Sequence, residues 1–154
     1  MQMFKMTLSE FQSFYDRSLT EFAKQYSEDT DILMEQSLLK AQAEILKYFP
    51  DGFETKDQHV YHLKNEALIS VGYLWFGIQQ KLNKKNVFIY DLLIEEPFRG
   101  LGYSKIILKW LELETKQLGI KEISLHVLGY NDRARALYQS CGFEITNLYM
   151  SKKI

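Results

Sequence analysis

A glycine-containing turn is the segment whose residue types and spacing could most clearly do chemistry. It lies between an apolar run and a segment with helical periodicity. Free backbone N–H groups at a helix start attract anions, and glycines let oxygen atoms approach the backbone closely. We therefore expect the backbone N–H groups of this turn, including that of Arg99, to bind a diphosphate group. The residues of the turn are Arg99, Gly100, Leu101, Gly102, Tyr103, Ser104 and Lys105.

Two common phosphate-binding motifs do not fit this turn. The dinucleotide-binding pattern requires a third glycine where Lys105 stands, and the P-loop requires Gly-Lys and then Ser or Thr after four intervening residues. Because a Gly-x-Gly pair alone is weak evidence, an ordinary tight turn is an equally good interpretation of these residues by themselves.

The other residues of reactive type have spacings that do not indicate a site. His59 and His62 would point their rings to opposite faces of a strand, so we predict no metal site. Cys141 is the single cysteine and has no base at a readable spacing, so we do not expect a nucleophile. One cysteine cannot form an intramolecular disulfide, which agrees with a cytoplasmic location.

Hydrophobic periodicity predicts one mixed α/β domain over residues 1–154. Thr7 and Glu10 have the spacing of a capping box, which predicts a helix start. Asp91 is the one polar residue in an apolar strand that we place inside the sheet. The expected elements are a strand at 2–6, helices at 7–26 and 32–48, strands at 60–63, 67–78 and 87–94, a turn at 79–86, a helix at 104–118, a strand at 123–128, a helix at 131–140 and a strand at 143–150.

Composition narrows the possible partners. The 154 residues are 46% hydrophobic, which is enough apolar material for one core. Lys and Arg number 19 against 20 for Asp and Glu, so there is no basic surplus for nucleic acid. The longest apolar run, from Ala67 to Ile78, is shorter than the roughly 20 residues of a membrane-spanning helix. We therefore expect no nucleic acid and no membrane partner, while a homodimer is an open possibility.

The glycine turn and a second segment together resemble the GNAT superfamily of N-acetyltransferases. From Ile94 to Ser104 the chain is similar to the acetyl-CoA motif Arg/Gln-x-x-Gly-x-Gly/Ala, with Ser104 as a small departure at the last position. The second segment, in the same order as in the family, matches at Asn131, Ala134, Leu137, Tyr138, Gly142 and Phe143. The resemblance covers residues 60–154 well, and its likeness is to bacterial single-domain members.

This resemblance implies the GNAT fold, a central mixed β-sheet flanked by helices, with acetyl-CoA as cosubstrate. Leu92, Leu93 and Ile94 would contact the pantetheine arm through the backbone, and one N–H of this strand would hold the thioester oxygen. By the same resemblance, Asn131 would hydrogen-bond the coenzyme arm and Tyr138 would protonate the departing thiol.

The general base has several candidates. His126 stands five residues before Asn131, where some GNAT enzymes carry a catalytic carboxylate, and imidazole suits neutral pH. It could equally be a hydrogen-bonded histidine beside the sheet. Asp91 and Glu95 are rival bases, and a chain of water molecules would need none of them.

The sequence therefore predicts an N-acetyltransferase that moves an acetyl group from acetyl-CoA to the primary amine of a small molecule by direct attack. A protein lysine or N-terminus is an alternative acceptor. A non-catalytic acyl-CoA sensor is a third hypothesis, although a binding module would gain little from an acid such as Tyr138 at the thiol. The acceptor pocket is expected mainly from residues 20–56.

Overall fold

The fold places helices on both faces of a five-stranded sheet. The structure is a computed structural model that describes residues 2–30, 32–81, 84–152 and 154. In those residues no helix has both the length and the apolar character needed to cross a membrane. The elements are β1 (Gln2–Lys5), α1 (Leu8–Thr30), α2 (Met34–Tyr48), β2 (Gln58–Lys64), β3 (Ser70–Lys81), β4 (Lys84–Ile94), α3 (Tyr103–Gln117), β5 (Ile123–Leu125) and α4 (Asp132–Ser140), with single 3-10 turns at Gly52–Glu54 and Glu96–Phe98.

The sheet is mixed, as the sequence predicted. Its strands lie in the order β1-β2-β3-β4-β5, and every neighbouring pair is antiparallel except β4 with β5. Parallel neighbours need a crossover, which α3 supplies between β4 and β5. This strand-helix-strand unit contains the glycine turn at its first junction.

Two apolar clusters hold the helices against the sheet. On one face, α1 contributes Phe11 and Phe14, and α2 with its C-cap contributes Ile45 and Phe49, to a cluster that includes Trp75 of β3. On the other face, α3 packs on the strands in a separate cluster. The buried members of this second cluster are Leu63, Val71, Leu74, Phe76, Val87, Ile89, Ile94, Ile107, Leu108, Leu111 and Ile120. Burying large apolar side chains stabilises the fold by about 2 kcal/mol for each one.

The start of α1 confirms the predicted capping box. The N–H of Thr7 donates to Glu10 Oε2 at 2.9 Å, and the N–H of Glu10 donates to Thr7 Oγ1 at 3.3 Å. Glu10 also accepts a hydrogen bond from Lys64 of β2 at 3.1 Å. The hydrogen bond from the Thr7 backbone is the main cause that lowers the pKa of Glu10 to about 2. The Glu10 carboxylate therefore caps the start of α1 and also links this helix to β2 of the sheet.

Two predicted boundaries are wrong at polar segments. α1 continues to Thr30, although the sequence suggested a break from Ser27. The turn predicted at 79–86 is mostly strand, because Gln79 pairs with Asn86 and Gln80 with Lys85 in the β3–β4 ladder. Polar side chains at the end of a hairpin can face water while their backbone groups stay paired. Residues 82 and 83 lie outside the described part.

The predicted last strand, 143–150, is also wrong. The structure gives these residues no strand conformation. A strand needs a neighbour for its N–H and C=O groups, but among the described residues this segment pairs with no strand and instead lines, together with β5, a cleft of about 1370 Å³. The apolar alternation also changes phase, since Phe143 and Ile145 are followed by Leu148 and Met150. β5 is shorter than predicted as well, ending at Leu125.

Replacing Gly72 by alanine should destabilise the protein strongly. A Cβ atom at this position would lie 2.2 Å from the backbone oxygen of Leu93, so β3 and β4 would have to separate. We expect Gly72→Ala to lower the free energy of unfolding by roughly 2 to 3 kcal/mol in urea titrations. Gly129→Ala is the control, because no atom lies within 4 Å of its Cβ position. Equal stability of the two variants would contradict the close approach of β3 and β4.

Candidate active site

An extra residue in β4 decides which way Asp91 faces. Trp75 of β3 is opposite Asp91, but the next residue, Phe76, is opposite Ile89, so Tyr90 is the inserted residue of a β-bulge. Before the bulge Val87 and Ile89 belong to the cluster under α3. Without the bulge, the two-residue period of a strand would send Asp91 into that apolar cluster. With it, the carboxylate reaches the face that α1 covers.

The same place ends the pairing between β4 and β5. The parallel ladder has three register pairs, and the last joins Ile89 to Leu125. Beyond it, residues 90–94 of β4 have no strand partner on the β5 side among the described residues. Backbone polar groups on this edge are therefore available to a ligand. Leu92, Leu93 and Ile94, the predicted contacts of the pantetheine arm, lie within this open stretch.

The glycine turn follows directly and carries a row of free amides. Among the described residues, none of the backbone N–H groups of residues 100–104 donates to an acceptor of the chain. Gly100 and Gly102 have φ angles of 80° and 82°, which side chains rarely allow. Nothing lies within 4 Å of a Cβ at either glycine, so packing alone does not require them. This geometry fits a diphosphate held by N–H groups at the start of α3.

Two residues at the ends of the turn differ from the expectation. The N–H of Arg99 donates to Glu96 at 3.2 Å, so it does not join the free amides. The N–H of Lys105 likewise donates to Gly102 at 3.1 Å. Arg99 has another task, because its Nε donates to the carbonyl oxygen of Ile94 at 3.0 Å and fixes the turn to the end of β4. Phosphate contact by either residue would have to come from the side chain.

Asp91 belongs to a polar network that the sequence did not indicate. The hydroxyl of Tyr73 donates to Asp91 Oδ2 at 2.5 Å. Burial raises the pKa of Asp91, while the hydrogen bonds from Tyr73 and the Leu92 backbone and the charge of Arg17 lower it in part. Burial and the Asp91 charge also raise the pKa of Tyr73. Tyr73 is a buried core residue, and it also orients the carboxylate.

α1 contributes Arg17 to this network. Arg17 Nη1 lies 2.7 Å from Glu95 Oε1, and its guanidinium lies 5.7 Å from the ring centre of Tyr73. One turn earlier, Phe14 packs edge-on against the same ring, with the ring centres 5.3 Å apart. Arg17 thus lies over the Tyr73–Asp91 pair. It has no sequence signal, because a charged residue bordering an apolar stripe is typical of any surface helix.

Tyr138 is half-buried in the cleft, with the Phe143 ring centre 5.5 Å from its own. Burial is the main cause that raises the pKa of Tyr138 to about 12, and the negative charge of Asp91 is the second. The charge of Asp91 on β4 thus acts on the phenol of Tyr138 on α4. Lys105 and His126 line the same cleft, and His126 is exposed just beyond β5.

Asn131 has a structural task. It is the N-cap of α4, and its Oδ1 accepts a hydrogen bond from the N–H of Ala134 at 3.0 Å. Asn131 and Ala134 both contributed to the family resemblance, and helix capping explains why they are three residues apart. A contact between Asn131 and coenzyme, which stays a prediction, would go through Nδ2.

Comparison with known proteins decides the family. The model of the acetyltransferase (GNAT) family matches residues 11–143. This chain belongs to the GNAT family. The match also includes the first two helices, for which the sequence motifs gave little support. As a GNAT protein, the chain is an acetyl-CoA-dependent N-acetyltransferase, and its mixed sheet with flanking helices is the GNAT fold.

Two relatives from Bacillus subtilis (strain 168) are similar over most of their length. YycN, described as an uncharacterized N-acetyltransferase, is 34% identical over 97% of this chain and 96% of its own. Its crystal structure matches with a TM-score of 0.87 over 99% of this chain and 98% of that one. YdgE, described in the same words, is 29% identical over 97% of this chain and 95% of its own. These two relatives are thus bacterial proteins that this chain matches over nearly their whole length.

Placing a carboxylate at Gly102 should weaken coenzyme binding. Gly102→Asp puts bulk and negative charge beside the free amides, so we expect the Kd for acetyl-CoA by calorimetry to rise at least about tenfold. Gly119→Asp is a matched control, because Gly119 also has a positive φ, 70°, and open surroundings but lies beyond the other end of α3. If both variants bind acetyl-CoA like the wild type, the turn does not hold the diphosphate.

Proposed function

We propose that this GNAT enzyme transfers the acetyl group of acetyl-CoA to the primary amine of a small molecule by direct attack. One observation carries the proposal. The open stretch of β4 has Asp91 at one end and leads to the free amides of the glycine turn at the other. A coenzyme with its diphosphate on the turn would extend its arm along this edge and bring the thioester beside Asp91.

Deprotonation of the amine is the first requirement. A lysine-like amine has a pKa near 10.4, so its neutral form costs roughly 4.6 kcal/mol at pH 7. Asp91 is our candidate base, because it is half-buried and its raised pKa makes it more basic than an exposed carboxylate. Tyr73 holds one of its oxygens, which leaves the carboxylate oriented. His126 is the rival, but it is exposed and beyond β5.

Attack then forms the N–C bond and moves negative charge onto the thioester oxygen. An N–H on the open edge of β4 would stabilise that oxygen, and one such donor contributes about 3 kcal/mol in other enzymes. The attacking nitrogen gains a positive charge and releases its extra proton to water. Collapse restores the carbonyl and breaks the C–S bond. The electron pair leaves with sulfur as a thiolate, which needs a proton.

Tyr138 is our candidate donor to that thiolate. With its pKa raised to about 12, the phenol keeps its proton at neutral pH. Full transfer to a thiolate whose acid has a pKa near 8.5 would cost roughly 5 kcal/mol. While Asp91 is ionised, Tyr138 therefore acts as a hydrogen-bond donor rather than as a strong acid.

Asp91 connects the two proton movements. When it accepts the proton of the amine, it loses the charge that contributes to the raised pKa of Tyr138. The phenol then becomes a better acid at the stage when the thiolate leaves. A base and an acid that interact in this way would favour the order in which attack precedes protonation of sulfur.

The position of Arg17 supports a small acceptor. Its bridge to Glu95 crosses from α1 to the end of β4, above the Tyr73–Asp91 pair. An extended polypeptide would have to displace this bridge, whereas a small amine needs only to pass beside it. This favours a small molecule over a protein lysine as the acceptor.

Removing the base should slow catalysis while binding of acetyl-CoA persists. We expect Asp91→Asn to lower kcat/KM for the amine by about 100-fold or more, and His126→Gln to lower it less than about threefold. The ratio of wild-type to Asp91→Asn kcat/KM should fall as the pH falls through the raised pKa of Asp91, because the protonated wild type also lacks a base. Stopped assays of acetylated product over a pH series measure both effects. The reverse order of the two variants would place the base on His126.

Removing the Tyr138 hydroxyl should act on a later step. We expect Tyr138→Phe to lower kcat by about 10- to 100-fold with little change in the Kd for acetyl-CoA, because the hydroxyl meets a thiolate that exists only after attack. Release of free thiol with a dye is the readout. Tyr130→Phe is the control, since Tyr130 is 82% exposed. Equal kcat for wild type and Tyr138→Phe would remove this hydroxyl from the mechanism.

A further inference from the structure

Asp91 has to meet two opposing demands as a base. A base accepts a proton only while it is ionised, but burial disfavours the charged form of a carboxyl. Asp91 is half-buried on β4, opposite the buried Trp75 of β3, and burial is the main cause that raises its pKa. Without groups that stabilise its charge, a carboxyl in such surroundings stays protonated up to a higher pH and offers no base there.

Two hydrogen-bond donors and a cation oppose the effect of burial. The Tyr73 hydroxyl donates to Asp91 Oδ2 at 2.5 Å, and hydrogen bonds from Tyr73 and from the Leu92 backbone both lower the pKa of the carboxyl. The titratable and charged groups that interact with the Tyr73–Asp91 pair are Arg17 and Glu21 of α1, Tyr138 of α4 and Glu95 after β4. Of these groups only Arg17 is positive, so it supplies the charge that favours an ionised Asp91.

Tyr73 is held in place as a hydrogen-bond donor. Its ring packs edge-on against Phe14 of α1, with the ring centres 5.3 Å apart. Burial and the charge of Asp91 raise the pKa of the phenol, so the hydroxyl keeps its proton at neutral pH. A hydrogen bond to the charged form of a carboxyl favours that form. Tyr73 therefore stabilises the carboxylate and fixes one of its oxygens.

Arg17 acts on the carboxylate in two ways. Its guanidinium lies 5.7 Å from the ring centre of Tyr73, and its charge partly offsets the effect of burial on the pKa of both Tyr73 and Asp91. A phenol polarised by a nearby cation is a stronger hydrogen-bond donor to Asp91. The ion pair with Glu95, at 2.7 Å, holds the guanidinium in this place. One effect is thus direct, and the other passes through the Tyr73 hydroxyl.

We infer that Tyr73 and Arg17 are positioning residues of the base: together they keep the half-buried Asp91 ionised and hold it in one orientation. This inference rests on the proposed function, since it assigns the groups that make Asp91 a working base. Both residues act through Asp91 rather than on the coenzyme or the acceptor. Loss of either should therefore lower activity in a pH-dependent way, which a purely structural role would not produce.

Tyr73→Phe removes the hydroxyl and keeps the ring against Phe14. Without this hydrogen bond the pKa of Asp91 rises further, so the variant lacks an ionised base over a pH range in which the wild type has one. We expect kcat/KM for a given amine to fall about tenfold on the acid side of the profile and less than about threefold at high pH, where both proteins are ionised. Tyr61→Phe is the control and should keep the wild-type profile, because Tyr61 packs against Trp110 on the other face of the sheet.

Arg17→Gln should lower kcat/KM in the same pH range by about three- to fivefold, and by less with added salt, because the Arg17 side chain is 42% exposed. Arg17→Lys keeps the charge and should recover part of this loss. Combined with Tyr73→Phe, Arg17→Gln should cost less than the product of the two single losses, because one effect is shared. Lys47→Gln is the control, since Lys47 forms an ion pair of the same length, 2.7 Å, with Glu44 on α2.

NMR titration of the Asp91 side-chain carboxyl, with its signal assigned by Asp91→Asn, measures the same effect without catalysis. The carboxyl should titrate at a higher pH in Tyr73→Phe and in Arg17→Gln than in the wild type. Equal titration in all three proteins, or activity losses that do not change with pH, would overturn this inference alone. Full activity of Asp91→Asn, or no acetylation of any amine by the wild type, would contradict the proposed function as well.

Discussion

Pairing between β4 and β5 stops at Ile89 and Leu125, and the bulge at Tyr90 follows at once. The candidate site depends on this local break in the sheet. It leaves one edge of β4 without a strand, and it turns Asp91 away from the apolar cluster under α3. A regular strand of the same sequence would bury the carboxylate among Val87 and Ile89. The proposed function requires the ladder to be incomplete.

The electrostatic surroundings of Asp91 and Tyr138 give these two residues different roles in the proposed mechanism. Burial raises the pKa of both Asp91 and Tyr138. The carboxylate becomes a better base, whereas the phenol becomes a weaker acid until the charge of Asp91 is removed. Arg17 and Glu95 form an ion pair beside these residues. In the mechanism that we propose, both proton movements depend on one residue of β4, Asp91.

Sequence patterns identified the local parts of this structure and missed the non-local ones. The capping box of Thr7 and Glu10 was predictable because both partners are three residues apart, and the glycine turn because positive φ angles require glycine. The bulge was not, since it depends on how β3 and β4 are paired. Arg17 is 78 residues from Glu95, so no local spacing could indicate their contact. The wrong prediction of a last strand at 143–150 also has a non-local cause. Apolar residues form a strand only where a neighbouring strand pairs with their backbone N–H and C=O groups.

The central claim is that the open edge of β4 and the turn after it hold the coenzyme. A crystal structure of the protein with coenzyme A tests it most directly. Our account places the diphosphate oxygens within hydrogen-bond distance of the backbone N–H groups of residues 100–104, and the thiol end of the arm beside Asp91 and Tyr138. A diphosphate bound elsewhere, with these amides still facing solvent, would contradict it.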